Sequence, residues 1–311
     1  MTERTLARAL VAEGLTEANR AELVARGGKS FGKLWAFGDE EARALSELQG
    51  AVTTWLSRPG PERPLCVALF GPPGAGKSFT FAQLLTAFEA RGERPHWARS
   101  FRTFVFNLTQ FESSAEVAQS LAAVPRRVQP GEMPVVFFDE FDAPRGARDL
   151  GWLPWFLAPM QDGEWELDGQ TRTLRQAIYV FAGGTSPSFA DFQDDGTDPD
   201  AARRAKRPDF VSRLRGTLDI AGPDADPAPI RRALVLYNQL AAYNATWLGA
   251  AGFVRKSLPD AQIDRLLRVK RFIHGARSIG ALLDACVVEP GDATLDLRRV
   301  PRGVWDAHVE E

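Results

Sequence analysis

Apolar positions follow two rhythms along the chain. Short unbroken apolar runs, LCVALF (65–70), FVFNL (104–108), PVVFF (134–138) and AIYVFAG (177–183), alternate with stretches of helical spacing. Unbroken runs suit strands buried on both faces, and helices between them predict a parallel sheet covered on each side. Helices are expected from Gly76 to about Arg91 and from Ser113. After Pro227 the strand signals stop and helical periodicity continues to about Cys286, which predicts a smaller all-helical domain. Upstream, residues 1 to about 33 read as two short helices, the second opening at Thr16 with Glu17 in its first turn and ending at Gly27-Gly28. A longer helix is predicted from Phe37 to Leu56, closed by RPGPERP (58–64). Trp165 to Leu167 and Thr171 to Leu174 flank Asp168-Gly169, a favoured tight-turn dipeptide, and predict a hairpin. The expected organisation is a helical appendage (1–34), an α/β core (35–226), a helical domain (227–286) and a tail (287–311).

Length and charge narrow the classes. At 311 residues the chain has room for two domains. Its net charge of −2 argues against a protein that works mainly by neutralising phosphate backbones. No apolar run approaches the roughly 20 residues of a membrane span, and MTERTLARAL lacks a signal-peptide pattern, so a cytoplasmic location and no membrane partner are expected. Cys66 and Cys286 lie on apolar faces and read as small buried residues. His96, His274 and His308 are dispersed without zinc spacing, and His274 is expected to act at a helix end through the dipole. DFQDDGTDPD (191–200) reads as an exposed acidic loop, and AARRAKR (201–207) as a solvated or subunit-facing edge.

The strongest chemical signal is GPPGAGKS (71–78), a phosphate-binding loop between a strand and a helix. Gly71, Gly74 and Gly76 let the backbone curl so that N–H groups point at phosphate oxygens, at the positive end of the following helix. The candidate cradle comprises Gly71, Pro72, Pro73, Gly74, Ala75, Gly76, Lys77, Ser78 and Phe79. Lys77 would reach the β- and γ-phosphates of ATP and Ser78 would ligate magnesium. In PVVFFDEFD an apolar run ends at Asp139 and Glu140, 62 residues after Lys77. Two carboxylates at the carboxyl edge of a buried strand suit a magnesium-holding Asp139 and a water-orienting Glu140. Asp142 has no such task and reads as structural or solvated.

With these motifs in order, residues 35 to 285 resemble the AAA+ ATPases, and within them the second ATPase module of Clp-type disaggregases. AFGDEEARALSELQGAV (36–52) is similar to the segment before the first core strand, which implies that Ala36 and Phe37 border the adenine. FVFNLTQF (104–111) resembles the second strand, and residues 155–186 resemble the stretch after the paired acids, a helix leading into a hairpin and the fourth strand. The resemblance implies an α/β fold of the P-loop NTPase type, its parallel sheet sandwiched by helices and followed by a smaller all-helical lid. It places Thr185 at the sensor 1 position, where the family carries asparagine. It places Arg213, in RPDFVSRLRGTLDI (207–220), at the arginine finger, with a salt-bridged surface arginine as the alternative. Gly275-Ala276-Arg277 matches sensor 2. Ile279, Leu282, Leu283 and Cys286 form an apolar stripe that leaves Arg277 on the opposite side, so a solvent-facing arginine is the alternative there.

Threading members of that family carry an aromatic-glycine pore loop, whereas residues 112–134 contain no aromatic. Trp152, Trp155 and Trp165 cluster after the paired acids and read chiefly as packing residues. The resulting expectation is an ATPase working as a homo-oligomeric ring or partial ring on an unidentified client protein. The alternatives are an ATP-dependent scaffold or switch with slow hydrolysis and, least favoured by the charge, a nucleic-acid-dependent ATPase.

Overall fold

The apolar runs form strands in the computed structural model, which describes all residues except 59, 61, 91–94, 96, 147, 195, 197, 198, 248–255 and 287–291. The chain opens with α1 (Glu3–Glu13), α2 (Glu17–Ala25), β1 (Gly28–Phe31), β2 (Leu34–Phe37) and α3 (Asp39–Leu56). Then come β3 (Leu65–Phe70), α4 (Lys77–Glu89), β4 (Ser100–Asn107), α5 (Ser114–Ala123) and β5 (Glu132–Asp139). They are followed by α6 (Leu153–Asp162), β6 (Glu164–Leu167), β7 (Gln170–Thr173) and β8 (Ile178–Ala182). Next are α7 (Phe189–Gln193), α8 (Pro199–Arg204), α9 (Arg207–Val211) and β9 (Gly216–Asp219). The chain closes with α10 (Ala228–Trp247), α11 (Asp260–Arg268), β10 (Arg271–Phe272), α12 (Ala276–Asp284), α13 (Arg302–His308) and β11 (Val309–Glu310). Two units result, one of residues 40–72 and 77–220, the other of 1–39, 73–76 and 221–311.

The first unit is a parallel five-stranded sheet of order β4-β5-β8-β3-β9, flanked by helices in the α/β fold of P-loop NTPases. Adjacent Phe137 and Phe138 of β5 point to opposite sheet faces, as strand geometry requires. Phe81 of α4 packs edge-on against Phe137, while Phe156 of α6 meets Phe138 at 4.7 Å. The hairpin β6–β7 turns at Asp168-Gly169 with φ of 53° and 69°, the left-handed pair that matches strand twist in a two-residue turn. Trp152 and Trp165 are buried, and the Trp165 indole donates to the Ala118 carbonyl at 3.1 Å, so these rings are packing residues. The edge strand β9 is not signalled by any apolar run, because a short edge strand needs only Leu218 and Ile220 on its buried side.

The second unit is mainly helical. Leu6 and Leu10 of α1, Leu23 of α2, Ile230 of α10, Leu266 of α11 and Ile279, Leu282 and Leu283 of α12 share one core. The buried Arg232 donates to Asp224 at 2.8 Å and to the carbonyls of Leu267, Val269 and Lys270, tying α10 to the segment before β10. β11 pairs antiparallel with β10, so residues 309 and 310 belong to this unit.

Two local departures from the sequence pattern stand out. Residues 28–37 form a β1–β2 hairpin between the expected helices, with Gly32 at φ 64° in its turn. The long helix opens at Asp39 rather than Phe37, because Gly38 at φ 86° breaks helical geometry and an aspartate suits the first turn. The expected loop at 58–64, the helix end near Arg91, His96, the acidic loop at 191–200 and the tail's start fall partly or wholly outside the described residues.

Candidate functional site

Within the α/β unit, strand register sets the site. Leu69 of β3 pairs with Ala182 of β8, and Ala182 pairs with Asp139 of β5, so the three residues form one row at the carboxyl edge. Two strand spacings put the Asp139 and Leu69 backbones about 10 Å apart. Gly71 follows β3 directly at φ 136°, and Gly74 and Gly76 also take positive φ, 77° and 97°. Such angles are open to glycine and strained for other residues, so the loop's curl depends on these three positions. Lys77 opens α4, and its ammonium reaches back to the Gly71 and Pro72 carbonyls at 2.8 and 3.4 Å. Ser78 and Phe79 are exposed in the first turn.

Beyond β5 the backbone turns sharply. Glu140 adopts φ 57°, a left-handed conformation that costs a non-glycine residue on the order of 1–2 kcal/mol. Phe141 then points into the aromatic core, stacked on Phe210 at 5.3 Å and edge-on to Phe70 and Phe181. Its N–H donates to the Ala182 carbonyl at 3.4 Å, and the Ala143 N–H donates to that of Glu140 at 3.0 Å. This corner leaves the Glu140 carboxylate against Gly184, where a side-chain carbon would stand 1.5 Å from Oε2. Gly183 donates to the Leu69 carbonyl at 2.8 Å, which holds the loop after β8 beside the start of the phosphate loop.

Asp142, without a task in the sequence reading, is buried and organises that loop. Its Oδ1 accepts the Gly184 N–H at 2.7 Å, and its Oδ2 accepts those of Thr185 and Ser186 at 3.1 and 2.8 Å. The Thr185 side chain stands exposed on this loop. The sequence signal for Asp142 was an acid directly after a buried phenylalanine, next to a strand end, and only the fold supplies its three donors.

Arg213 lies at the other edge of the sheet. The Arg215 N–H donates to the Cys66 carbonyl at 2.8 Å as the chain enters β9, so Arg213 precedes the amino end of the sheet's β3 row. Between Cys66 and Phe70 the strand rises about 13 Å, away from Arg213 and towards the phosphate loop. The guanidinium donates to the Asp209 carbonyl at 2.6 Å, and its Nε is enclosed without a hydrogen-bond partner among the described residues. Burial pushes the nearby Cys66 thiol far up, which disfavours its thiolate.

In the helical unit, Ala36 and Phe37 are buried on β2, and the Arg231 guanidinium lies 5.2 Å from the Phe37 ring centre. Loop residues 73–76 belong to this unit, and the Ala276 N–H donates to the Gly74 carbonyl at 2.9 Å. The approach is tight: a side-chain carbon on Gly74 would lie 1.9 Å from the His274 carbonyl oxygen. Arg277 is exposed in the first turn of α12, with Ile279, Leu282, Leu283 and Cys286 buried behind it. His274 precedes that helix, at the dipole's positive end, so the dipole offers an imidazolium no support there. Its backbone N–H is held by the Ser278 hydroxyl at 3.0 Å.

The donors present fit a magnesium nucleotide. Ser78 and Asp139 offer hard oxygen ligands, and no described cluster of three or more His, Cys, Asp or Glu side chains offers a site for another metal. A single carboxylate with a hydroxyl suits magnesium, which keeps waters and takes substrate phosphate oxygens as further ligands.

Residues 67–153 match the family model described as ATPase family associated with various cellular activities (AAA). The match runs from β3 through the phosphate loop and β5 to the first residue of α6. Comparison with curated proteins returns no match. Among solved structures the chain is similar to a crystal structure of NtrX from Brucella abortus, at 13% identity and a TM-score of 0.46, covering 96% of this chain. The chain spans 62% of the length of that structure. Among the described residues no helix is long and apolar enough to cross a membrane.

Proposed function

We propose that this chain, through its AAA-type ATPase domain at residues 67–153, binds ATP with magnesium and hydrolyses it in a ring or partial ring of its own copies. The observation that carries the reading is the Glu140 carboxylate. It is fixed at a left-handed corner directly after β5 and laid on Gly184, at the edge where the glycine-bearing loop begins.

In this reading the backbone N–H groups of Gly71 and of residues 74–79 hold the phosphates, Pro72 and Pro73 having none to offer, and Lys77 turns its ammonium from the loop carbonyls to the β- and γ-phosphates. Ser78 and Asp139 would hold magnesium, whose charge offsets that of the phosphate oxygens. Glu140 orients the attacking water and accepts its proton, and Thr185 offers one hydroxyl to the γ-phosphate or the water. Arg213 completes the site of a neighbouring copy. Its place at the amino edge of the sheet, opposite its own phosphate loop, supports action across a subunit boundary. Arg277 contacts phosphate and Ala36 and Phe37 border the adenine, as the AAA+ resemblance implies. The β6–β7 hairpin after α6 favours the Clp-type branch, and remodelling of a client protein is the coupled work.

A second reading, an ATP-driven scaffold or switch with slow hydrolysis, is favoured by the aromatic-free segment 112–134 and by threonine at 185. Particle mass with and without ATP and magnesium, measured beside the hydrolysis rate, separates the two. Growth from 34.2 kDa to a multiple of it with steady turnover supports the motor. ATP-driven assembly with negligible turnover supports the switch. A chain that stays at monomer mass and leaves ATP intact overturns both.

A further inference from the structure

We propose that Asp142 is a positioning residue of this site. By holding the 184–186 loop it sets the surface on which Glu140 rests and the stem from which Thr185 reaches the phosphate. This rests on the hydrolytic reading above.

Three consecutive residues after β5 face three directions. Glu140 lies over Gly184, Phe141 enters the aromatic core, and Asp142 meets the loop after β8. Asp142 is 3% exposed, and both its oxygens are engaged by consecutive backbone N–H groups. Bonds from a carboxylate to N–H groups are charge-assisted and about twice as strong as neutral ones, so the loop is tied firmly at three adjacent points.

The tie has little slack. A side-chain carbon on Gly183 would stand 3.1 Å from Asp142 Oδ2, and one on Gly184 would fall 1.5 Å from Glu140 Oε2. The two glycines are therefore the contact layer between an acid below and an acid above. Lifting or tilting that layer moves the Glu140 carboxylate and the Thr185 hydroxyl together relative to the phosphate loop. A displacement of about 1 Å in reacting groups costs up to about 100-fold in rate. The cradle itself, on Gly71 to Phe79, has no bond to Asp142 among those described. Asp142 should therefore act on the chemical step and spare nucleotide affinity.

Asp142→Asn keeps the shape and one acceptor, but turns an NH2 group towards one or more of the N–H donors. The expected result is a kcat about 10- to 100-fold lower with the Kd for a slowly hydrolysed ATP analogue and magnesium within about threefold of wild type. In a Glu140→Gln background the same change should add less than about threefold, because the group it positions is already disabled. A kcat within about threefold of wild type, a parallel loss of affinity, or losses that multiply in the double variant would each overturn the inference. Should Asp142→Asn fail to fold, Asp142→Glu, which keeps the charge but shifts the carboxylate relative to its three N–H donors, carries the test. Lowered kcat at retained Kd is expected, and unchanged kcat overturns it. An inactive wild type, or a Glu140→Gln variant as fast as wild type, would defeat the hydrolytic reading itself. An active wild type, a disabled Glu140→Gln and an unaffected Asp142→Asn would defeat only the role given to Asp142.

Discussion

The two units are held together by different materials. The α/β unit packs rings: Phe70, Phe138, Phe141, Phe156, Phe181, Phe192 and Phe210 interlock at centroid distances of 4.7 to 6.1 Å. The helical unit packs chiefly aliphatic side chains from α1, α10, α11 and α12, with salt bridges such as Arg265–Glu311 and Arg271–Glu310 on its surface. Edge-to-face rings resist sliding, because each has a preferred angle as well as a distance. The rigid packing lies directly beneath Asp139, Glu140 and Asp142, through Phe138 and Phe141. Aliphatic side chains have no such angular preference and tolerate volume-conserving exchange. Under the proposed function the ring-packed unit carries the residues of the chemical step, and the contrast predicts different responses to substitution in the two units.

The largest test of that division concerns the arginines. Arg213→Ala should lower turnover by about 10³- to 10⁵-fold while leaving ATP binding nearly intact. Mixing it with an equally inactive Lys77→Ala should restore part of the activity if the finger works on a neighbour, and no recovery despite shown co-assembly would contradict that. Arg277→Ala, in the helical unit, should instead weaken ATP binding by about 10- to 100-fold, the worth of one charged hydrogen bond. Equilibrium binding and single-turnover rates distinguish the two effects, and matching profiles for both arginines would erase the contrast.

Core truncations come next. Phe141→Ala should cost about 3–5 kcal/mol in denaturant unfolding and also slow the folded fraction, since the ring sits between two site carboxylates. Leu6→Ala on α1 should cost about 2–5 kcal/mol and leave turnover per folded molecule unchanged. Equal kinetic effects would show that the aromatic floor has no special link to chemistry.

The smallest effect concerns acid. Hydrogen bonds from Arg298 hold the Asp296 carboxyl well below the usual carboxylate range, and those from Lys270 and Arg265 lower Glu310 and Glu311. A carboxyl depressed in the folded state adds stability above its unfolded value, near 4, and that support is lost as pH falls through the folded value. Asp296→Asn should therefore lower Tm slightly at neutral pH and make no difference in strong acid. A Tm gap that persists in acid would point to lost shape rather than lost charge.

The α/β unit was largely legible because a parallel sheet demands unbroken apolar runs, and because a phosphate loop needs glycines where no other residue fits. The Asp168-Gly169 hairpin was legible for the same reason, its turn requiring left-handed backbone. The β1–β2 hairpin was hidden because glycines at 27 and 28 also end helices, and β9 because an edge strand needs few apolar residues. Asp142 reads from the sequence as structural or solvated, and the structure selects the first, with partners the sequence does not name. Its partners are backbone N–H groups 42 to 44 residues away, and backbone groups leave no mark in a sequence.

Under the proposed function Glu140 activates the water that cleaves a nucleotide which other residues hold. Its most direct test compares Glu140→Gln with wild type for magnesium-ATP Kd and for kcat on the same preparation. An affinity close to wild type and a kcat lower by about 10²- to 10⁴-fold are expected. Turnover equal to wild type, or no magnesium-ATP binding by either protein, would contradict it.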